Sequence, residues 1–391
     1  MTDPSRITVF TARRIRSMNR SNPVATAVAV RDGRIREAGT PEPLRPWLDT
    51  PPPSVDARFR DAAPTPRFVD PHLHPTLAAI LPPCPFITAR EWRLPNRASP
   101  PLTSQETCMN RLTEIEAGLA DPAEPLIAWG YHRSWHGAVT REMLSAAPAD
   151  RPIALWQRSF HEGVADAAAI GWMGLDRADL ERHPQAEPSA GRLFETGRSL
   201  AMRGMNPHQL APQRFSGGLA LVKQAIHGGG HSTTGERVHP LADDAGEWAA
   251  LDGDDVPSRT RSVPRAALRG PSMARLGALE REGTATALHS DFTMAPALPL
   301  NSARAAVNRG AGSGAVIGAE ERMNPDAAMR AITIDAACVL GMKNEIGSTR
   351  AGKAADCPVL GEHPWEVEPM ALRDIPIRGT VFEGRPFPAA G

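Results

Sequence analysis

Two short runs of closely similar make-up, Pro125-Leu126-Ile127-Ala128-Trp129 and Pro152-Ile153-Ala154-Leu155-Trp156, most constrain what this chain can fold into. Each is apolar throughout, as a strand buried on both faces must be, and helical patterns precede them at 105–119 and 140–147. Strands that alternate with helices imply a parallel α/β sheet. The pattern continues with an amphipathic helix at 217–227, closed by Gly228-Gly229-Gly230, and the short run His231-Ser232-Thr233-Thr234. Helical stretches at 272–281 and 325–341 and strand-like runs at 284–288, 357–360 and 376–382 complete the chain.

The N-terminal part differs. Residues 6–11 and 24–30 read as short strands, and Asp32-Gly33 before Arg34-Ile35-Arg36 is a hairpin signal, so a small antiparallel sheet is expected there. The run at 376–382 is expected to pair with it. Residues 40–67, rich in Pro, Asp and Ala, read as a loop or linker, and 237–270 as irregular. A chain of 391 residues exceeds the size at which one core stops growing, so a large domain with a smaller one is expected.

Lys+Arg and Asp+Glu are equal at 44 each, for a formal net charge of zero. No global field then favours nucleic acid or an anionic membrane, and no basic patch with stacking aromatics points to a nucleic-acid deaminase; the expected partner is a small molecule. Cys84, Cys108, Cys338 and Cys357 form no metal or disulfide spacing, which suits a reducing compartment. The first residues lack the apolar core of a secretory signal and no stretch approaches a membrane span, so a cytoplasmic protein is expected.

The chemistry concentrates in RFVDPHLHPT, residues 67–76, where the apolar Phe68-Val69 runs into an Asp70-Pro71 turn and then His72-Leu73-His74. Histidines at i and i+2 on a strand share a face and can converge on one ion. Imidazole suits zinc, and catalytic zinc takes three or more protein ligands with one position for water. Paired histidines are also common on surfaces. The second feature is Asp291, in TATALHSD, at the end of the expected strand at 284–288. An acid there is commonly a helix N-cap; at the end of a late barrel strand it can instead bind metal and take a proton from water.

Together with ATAVAVRDGRI, the middle segments WGYHRSWHG and RPIALWQRSFHEG, and the rear segments ALHSDFTMAPALPLNSARAAVNR and AMRAITIDAACVLGMKNEIGSTRAGKAADCPVL, these residues resemble the amidohydrolase superfamily. The branch resembled is amidohydrolase family 3, which includes N-substituted formamide deformylase-like proteins. The resemblance implies a (β/α)8 TIM-type barrel with a small β-sandwich built from both termini. It places 1–62 and 345–391 in the small composite domain and 63–344 in the barrel. It also implies metal-dependent hydrolysis of an amide or related carbon–nitrogen bond. His72 and His74 match the first-strand ligands of one or two divalent ions, zinc first among them, and Asp291 matches the last-strand ligand that also shuttles the proton.

Family members further carry a strand-four lysine or other ligand, a histidine in a motif like HAIGD after strand five, and a strand-six histidine in a motif like EH. None of these motifs can be read here. Only about 56 residues separate the helix at 217–227 from the run at 284–288, whereas one βα unit takes about 30 or more. An incomplete barrel is therefore expected, with exposed sheet edges that favour a homo-oligomer. The competing reading is a truncated, catalytically inactive relative, a degenerate product or a binding protein. His227, His231, His239 and Glu236 are candidates for the missing ligands, Glu236 also reading as a solvated loop carboxylate. His132, His136 and His161 match the family's substrate side, where packing or hydrogen bonding competes with substrate contact. Trp129, Trp135 and Trp156 read as pocket lining or core, and Lys353 as structural.

Overall fold

The computed structural model describes residues 7–48, 54–145, 151–228, 231–236, 274–292, 295–310 and 314–388. The chain divides into two compact units, Met1–His74 with Ala225–Gly391, and Pro75–Gln224.

The first unit opens with β1 (Thr8–Arg16), β2 (Val24–Arg31), β3 (Arg34–Gly39) and β4 (Ser54–Asp56), a four-stranded sheet in the order β3-β2-β1-β4. The hairpin expected at Asp32-Gly33 is there, with Arg31 paired to Arg34 and both turn residues at positive φ, 54° and 71°. Asp tolerates that conformation and Gly favours it. The stretch expected to be a loop, 40–67, carries a helical turn at Arg45–Leu48, β4, and β5 (Ala63–Pro64).

β6 (Phe68–Leu73) follows, and Asp70 and Pro71, expected in a turn, lie inside it. Phe68, Val69 and Leu73 are fully buried, which holds the segment extended. The proline costs the ladder little because it sits at an irregularity, the pairing passing from Asp70 to Leu73 with a shift in register.

In the second unit β7 (Trp92–Leu94) and β8 (Arg97–Ser99) form a hairpin. The helix Gln105–Gly118 starts at Ser104, whose side chain accepts from the Thr107 N–H in a capping box. β9 (Leu126–Tyr131) and β10 (Ile153–Gln157) are parallel, as the paired apolar runs imply. Beyond β10 the sheet turns antiparallel through β11 (Glu162–Ala165), β12 (Ala186–Glu187) and β13 (Arg192–Phe194), in the order β12-β13-β11-β10-β9. The reason is the short connection 158–161, since a few residues can return a chain only antiparallel. The helix expected at 140–147 is described as Arg141–Ser145.

Back in the first unit, β14 (His231–Glu236) lies parallel to β6. β15 (Cys357–Leu360), β16 (Ile377–Phe382) and β17 (Arg385–Pro388) join β5 in a sheet ordered β17-β16-β15-β5. β16 was expected to pair with the N-terminal sheet; its partners are β15 and β17. The two sheets meet through apolar side chains, Phe10, Ile15, Val28 and Ile35 of one sharing a core with Val359 and Val381 of the other.

Two further expectations are corrected. The helix at 325–341 is two, Pro325–Ala331 and Ile334–Val339, broken where the Thr333 hydroxyl donates to the Met329 carbonyl. Residues 284–288 form no strand: Leu288 N–H bonds to Ala331 O, and no ladder partner runs beside them. Among the described residues no sheet closes into a barrel, and the irregular stretch expected at 237–270 lies outside those residues. No described helix is long and apolar enough to cross a membrane.

Residues of the rear GKxAD pattern tie this unit together. Arg67, just before β6, forms a buried ion pair with Asp356, and Lys353 donates from Nζ to Ile346 O at 2.9 Å. Burial pushes the Lys353 amine from 10.5 down to about 8. Below that pH the folded state bears the full cost of the buried charge. As pH rises the folded lysine loses its proton before the unfolded one, so stability gains until the unfolded amine titrates too. Between about pH 8 and 10.5, wild-type protein therefore gains stability relative to Lys353→Met in urea denaturation; parallel pH dependence in the two proteins would refute a charged, buried Lys353.

Candidate metal centre

Alternation along β6 puts Asp70 and His72 on one face, and His74 follows directly after the strand. Facing them is the segment His289-Ser290-Asp291-Phe292, held to the end of β6 by two backbone bonds, Asp291 N–H to His72 O at 3.2 Å and His74 N–H to Phe292 O at 3.0 Å. Asp291 adopts φ 52°, a left-handed conformation that Asp visits more readily than most residues.

The half-buried side chains converge. Nε2 of His72 and Nε2 of His74 each lie 3.1 Å from Oδ1 of Asp291. The rings of His72 and His74 stand edge to face with centroids 5.0 Å apart, and His289 packs on His72 at 4.9 Å. Contact with His72, then with His74, holds the Asp291 carboxyl below the usual carboxylate range, although burial acts to raise it.

Oδ1 of Asp291 is buried, and the Nε2 atoms of the two histidines stand against it. Two imidazole nitrogens 3.1 Å from one carboxylate oxygen fit both His–Asp hydrogen bonding and three ligands converging on a cation. The ligand atoms of the three residues all lie within 4.8 Å of one another. At bond lengths of about 2.0–2.2 Å, two ligands of a tetrahedral ion stand roughly 3.3 Å apart, close to the 3.1 Å contacts. The donor set, two imidazoles and one carboxylate, suits zinc and leaves room in its coordination sphere.

Sequence reasoning missed Asp70. Its carboxylate is 3% exposed and accepts from the His72 N–H at 3.3 Å, from the Ser290 N–H at 3.1 Å and from the Ser290 hydroxyl. Ser290 Oγ in turn accepts from the Phe292 N–H. Asp70 thus joins the strand that carries both histidines to the segment that carries Asp291. The signal was available, an acid two residues before His72 on the same strand face, but the Asp-Pro pair read as a turn.

The other candidates fall elsewhere. Register sets His231 opposite Phe68, four residues before His72 and so roughly 13 Å along the strand from it. Glu236, expected in a loop, ends β14 and is paired with Leu73, level with the two histidines. His227 ends the helix Pro212–Gly228, and His239 lies outside the described residues. In the second unit His136 is fully buried, its Nδ1 accepting from the His132 N–H and its Nε2 donating to Leu102 O at 2.8 Å. That is a structural role. His132 caps the turn Arg133–His136, and His161 makes a half-exposed contact with Glu195 at 3.1 Å. Trp129 and Trp156 are core residues, while Trp135 is 36% exposed.

The family model described as the amidohydrolase family matches residues 235–387. Over those residues, less than half of the chain, the sequence is similar to the amidohydrolase family. No curated protein matches it. Among solved structures it is similar to an uncharacterized metal-dependent hydrolase from Pyrococcus horikoshii OT3, with a TM-score of 0.62 and 14% identity over 93% of this chain and 99% of that one. An uncharacterized metal-dependent hydrolase from Pyrococcus furiosus matches with a TM-score of 0.59 and 14% identity over 92% and 100%. At such identity these likenesses concern the fold, and they run over nearly the whole of each chain.

Replacing Asp70 by Ala leaves the buried Ser290 N–H and hydroxyl without their acceptor, at roughly 1–3 kcal/mol for each unsatisfied group. Chemical denaturation should report that loss, with Ser290→Ala milder because it removes a donor along with its need; equal effects would mean that Asp70 does not carry the link.

Proposed function

We propose that this chain is a metal-dependent hydrolase that cleaves a carbon–nitrogen bond in a small, non-peptide amide or related substrate. In this reading His72, His74 and Asp291 hold one divalent cation, zinc first. The observation that carries it is the convergence of His72, His74 and Asp291, the buried Oδ1 of Asp291 standing 3.1 Å from the Nε2 atoms of both histidines. The family match over 235–387, which includes Asp291, and the metal-dependent hydrolases of similar fold support it.

When bound, the cation supplies Lewis acidity, lowering the pKa of a water and polarising the carbonyl under attack. His72 and His74 contribute neutral Nε2 lone pairs. Asp291 presents Oδ1 toward the imidazoles, and its other oxygen takes the proton of the attacking water and delivers it to the leaving nitrogen. Asp70 acts through Ser290, fixing where Asp291 stands. We read residues 1–62 with 345–391 as the small domain that accompanies the hydrolase segment 63–344.

Metal analysis of the purified chain is the direct test. The expected result is about one divalent ion per chain, lost in His72→Ala, His74→Ala and Asp291→Ala, with hydrolysis of simple formamides and cyclic amides falling roughly 10²–10⁴-fold in Asp291→Asn. A wild-type chain that retains no stoichiometric metal and loses nothing on His72→Ala would sink the reading.

A further inference from the structure

What fixes the backbone of His72 differs from what fixes its ring. The His72 N–H donates to the Asp70 carboxylate at 3.3 Å, and its carbonyl accepts from the Asp291 N–H at 3.2 Å. On the ring, Nε2 stands 3.1 Å from Oδ1 of Asp291. Among the described residues Nδ1 of His72 has no hydrogen-bond partner. A histidine that binds metal almost always donates from its second ring nitrogen to a carboxylate, a carbonyl or a water, and that bond sets the tilt of the ring.

Two neighbouring rings bear on that tilt. His74 stands edge to face with His72 at 5.0 Å and 81°, and His289 does so at 4.9 Å and 83°. Aromatic pairs favour this arrangement at centroid separations of roughly 4.5–7 Å. His74 is itself one of the three residues whose ligand atoms converge, whereas His289 is outside that group. His289 is also exposed, so burial in a core does not account for where its ring lies. Its backbone is anchored nonetheless, because Ser290, the next residue, gives both its N–H and its hydroxyl to Asp70. An anchored backbone presents the imidazole to His72 at a set place. A ligand ring already aimed loses less freedom when the ion arrives than one that must first be ordered.

We infer that His289 is a positioning residue of the proposed metal centre: its ring packs on that of His72 and keeps Nε2 turned toward Asp291, doing by contact what a hydrogen bond at Nδ1 does in other sites. The inference rests on the reading of His72, His74 and Asp291 as metal ligands, and it keeps His289 itself off the ion.

The test is titration of the metal-free full chain with Zn²⁺ and with Co²⁺, on wild type, His289→Ala and His289→Phe. Phenylalanine keeps a ring that can pack edge to face and has no nitrogen with which to bind metal. The expected result is an affinity about ten-fold or more weaker in His289→Ala, with an altered visible absorption spectrum of bound Co²⁺, and both properties restored in His289→Phe. Melting of the metal-free proteins shows whether the variants fold, and should His289→Ala not fold, His289→Gln removes the ring in its place. A ringless variant that binds as wild type does, or a His289→Phe as weak as the ringless one, overturns the inference and leaves the metal reading standing. A wild-type chain that binds neither ion overturns the metal reading and this inference with it.

Discussion

One buried carboxylate organises the first unit around its candidate site. Asp70 lies 220 residues from Ser290 in sequence and accepts both its N–H and its hydroxyl. A carboxylate with so little exposure must have its oxygens satisfied, and here one partner is on its own strand and the others on a distant segment. That requirement fixes the distance between β6 and residues 290–292, and with it the placing of Asp291 against His72 and His74. The backbone bonds from Asp291 to His72 and from His74 to Phe292 close the same join from outside. The segment 284–292 needs no ladder of its own when its last residues are pinned this way.

The rear GKxAD pattern serves the same unit structurally. Gly352 turns at φ 89°, and its N–H and the Lys353 carbonyl bond to Ile35 of β3. Lys353 reaches the carbonyl of Ile346, and Asp356 pairs with Arg67 at the entrance to β6. A pattern specific enough to suggest a family thus spends its polar residues on joining the two ends of the chain. The proposed metal ligands stand elsewhere, at the end of β6 and at Asp291.

What could be read from the sequence follows from which interactions are local. The hairpin at Asp32-Gly33 was legible because two turn residues determine it, and β9 and β10 because their side chains are buried whatever the neighbours are. His72, His74 and Asp291 were legible as residue types at recognisable spacing, and the structure brings them within contact. The rest depended on partners that one segment cannot reveal. Asp70-Pro71 has turn chemistry, yet burial of Phe68, Val69 and Leu73 keeps it in a strand. Thr333 breaks a regular helical pattern through one hydroxyl, and the run at 284–288 has strand composition without a neighbour to pair with. β16 was assigned the wrong edge because pairing and packing leave the same apolar alternation.

Two places in the chain can be compared through the sign of their buried polar atoms. A folded chain tolerates few buried polar atoms without partners, so those that persist carry information about what completes them. At Asp291 the atom in question is an anionic acceptor with two imidazole nitrogens beside it, and a proton on the imidazoles or a shared cation answers it. At Trp156 and Arg198 the unsatisfied atoms are donors, which any acceptor, a water included, relieves.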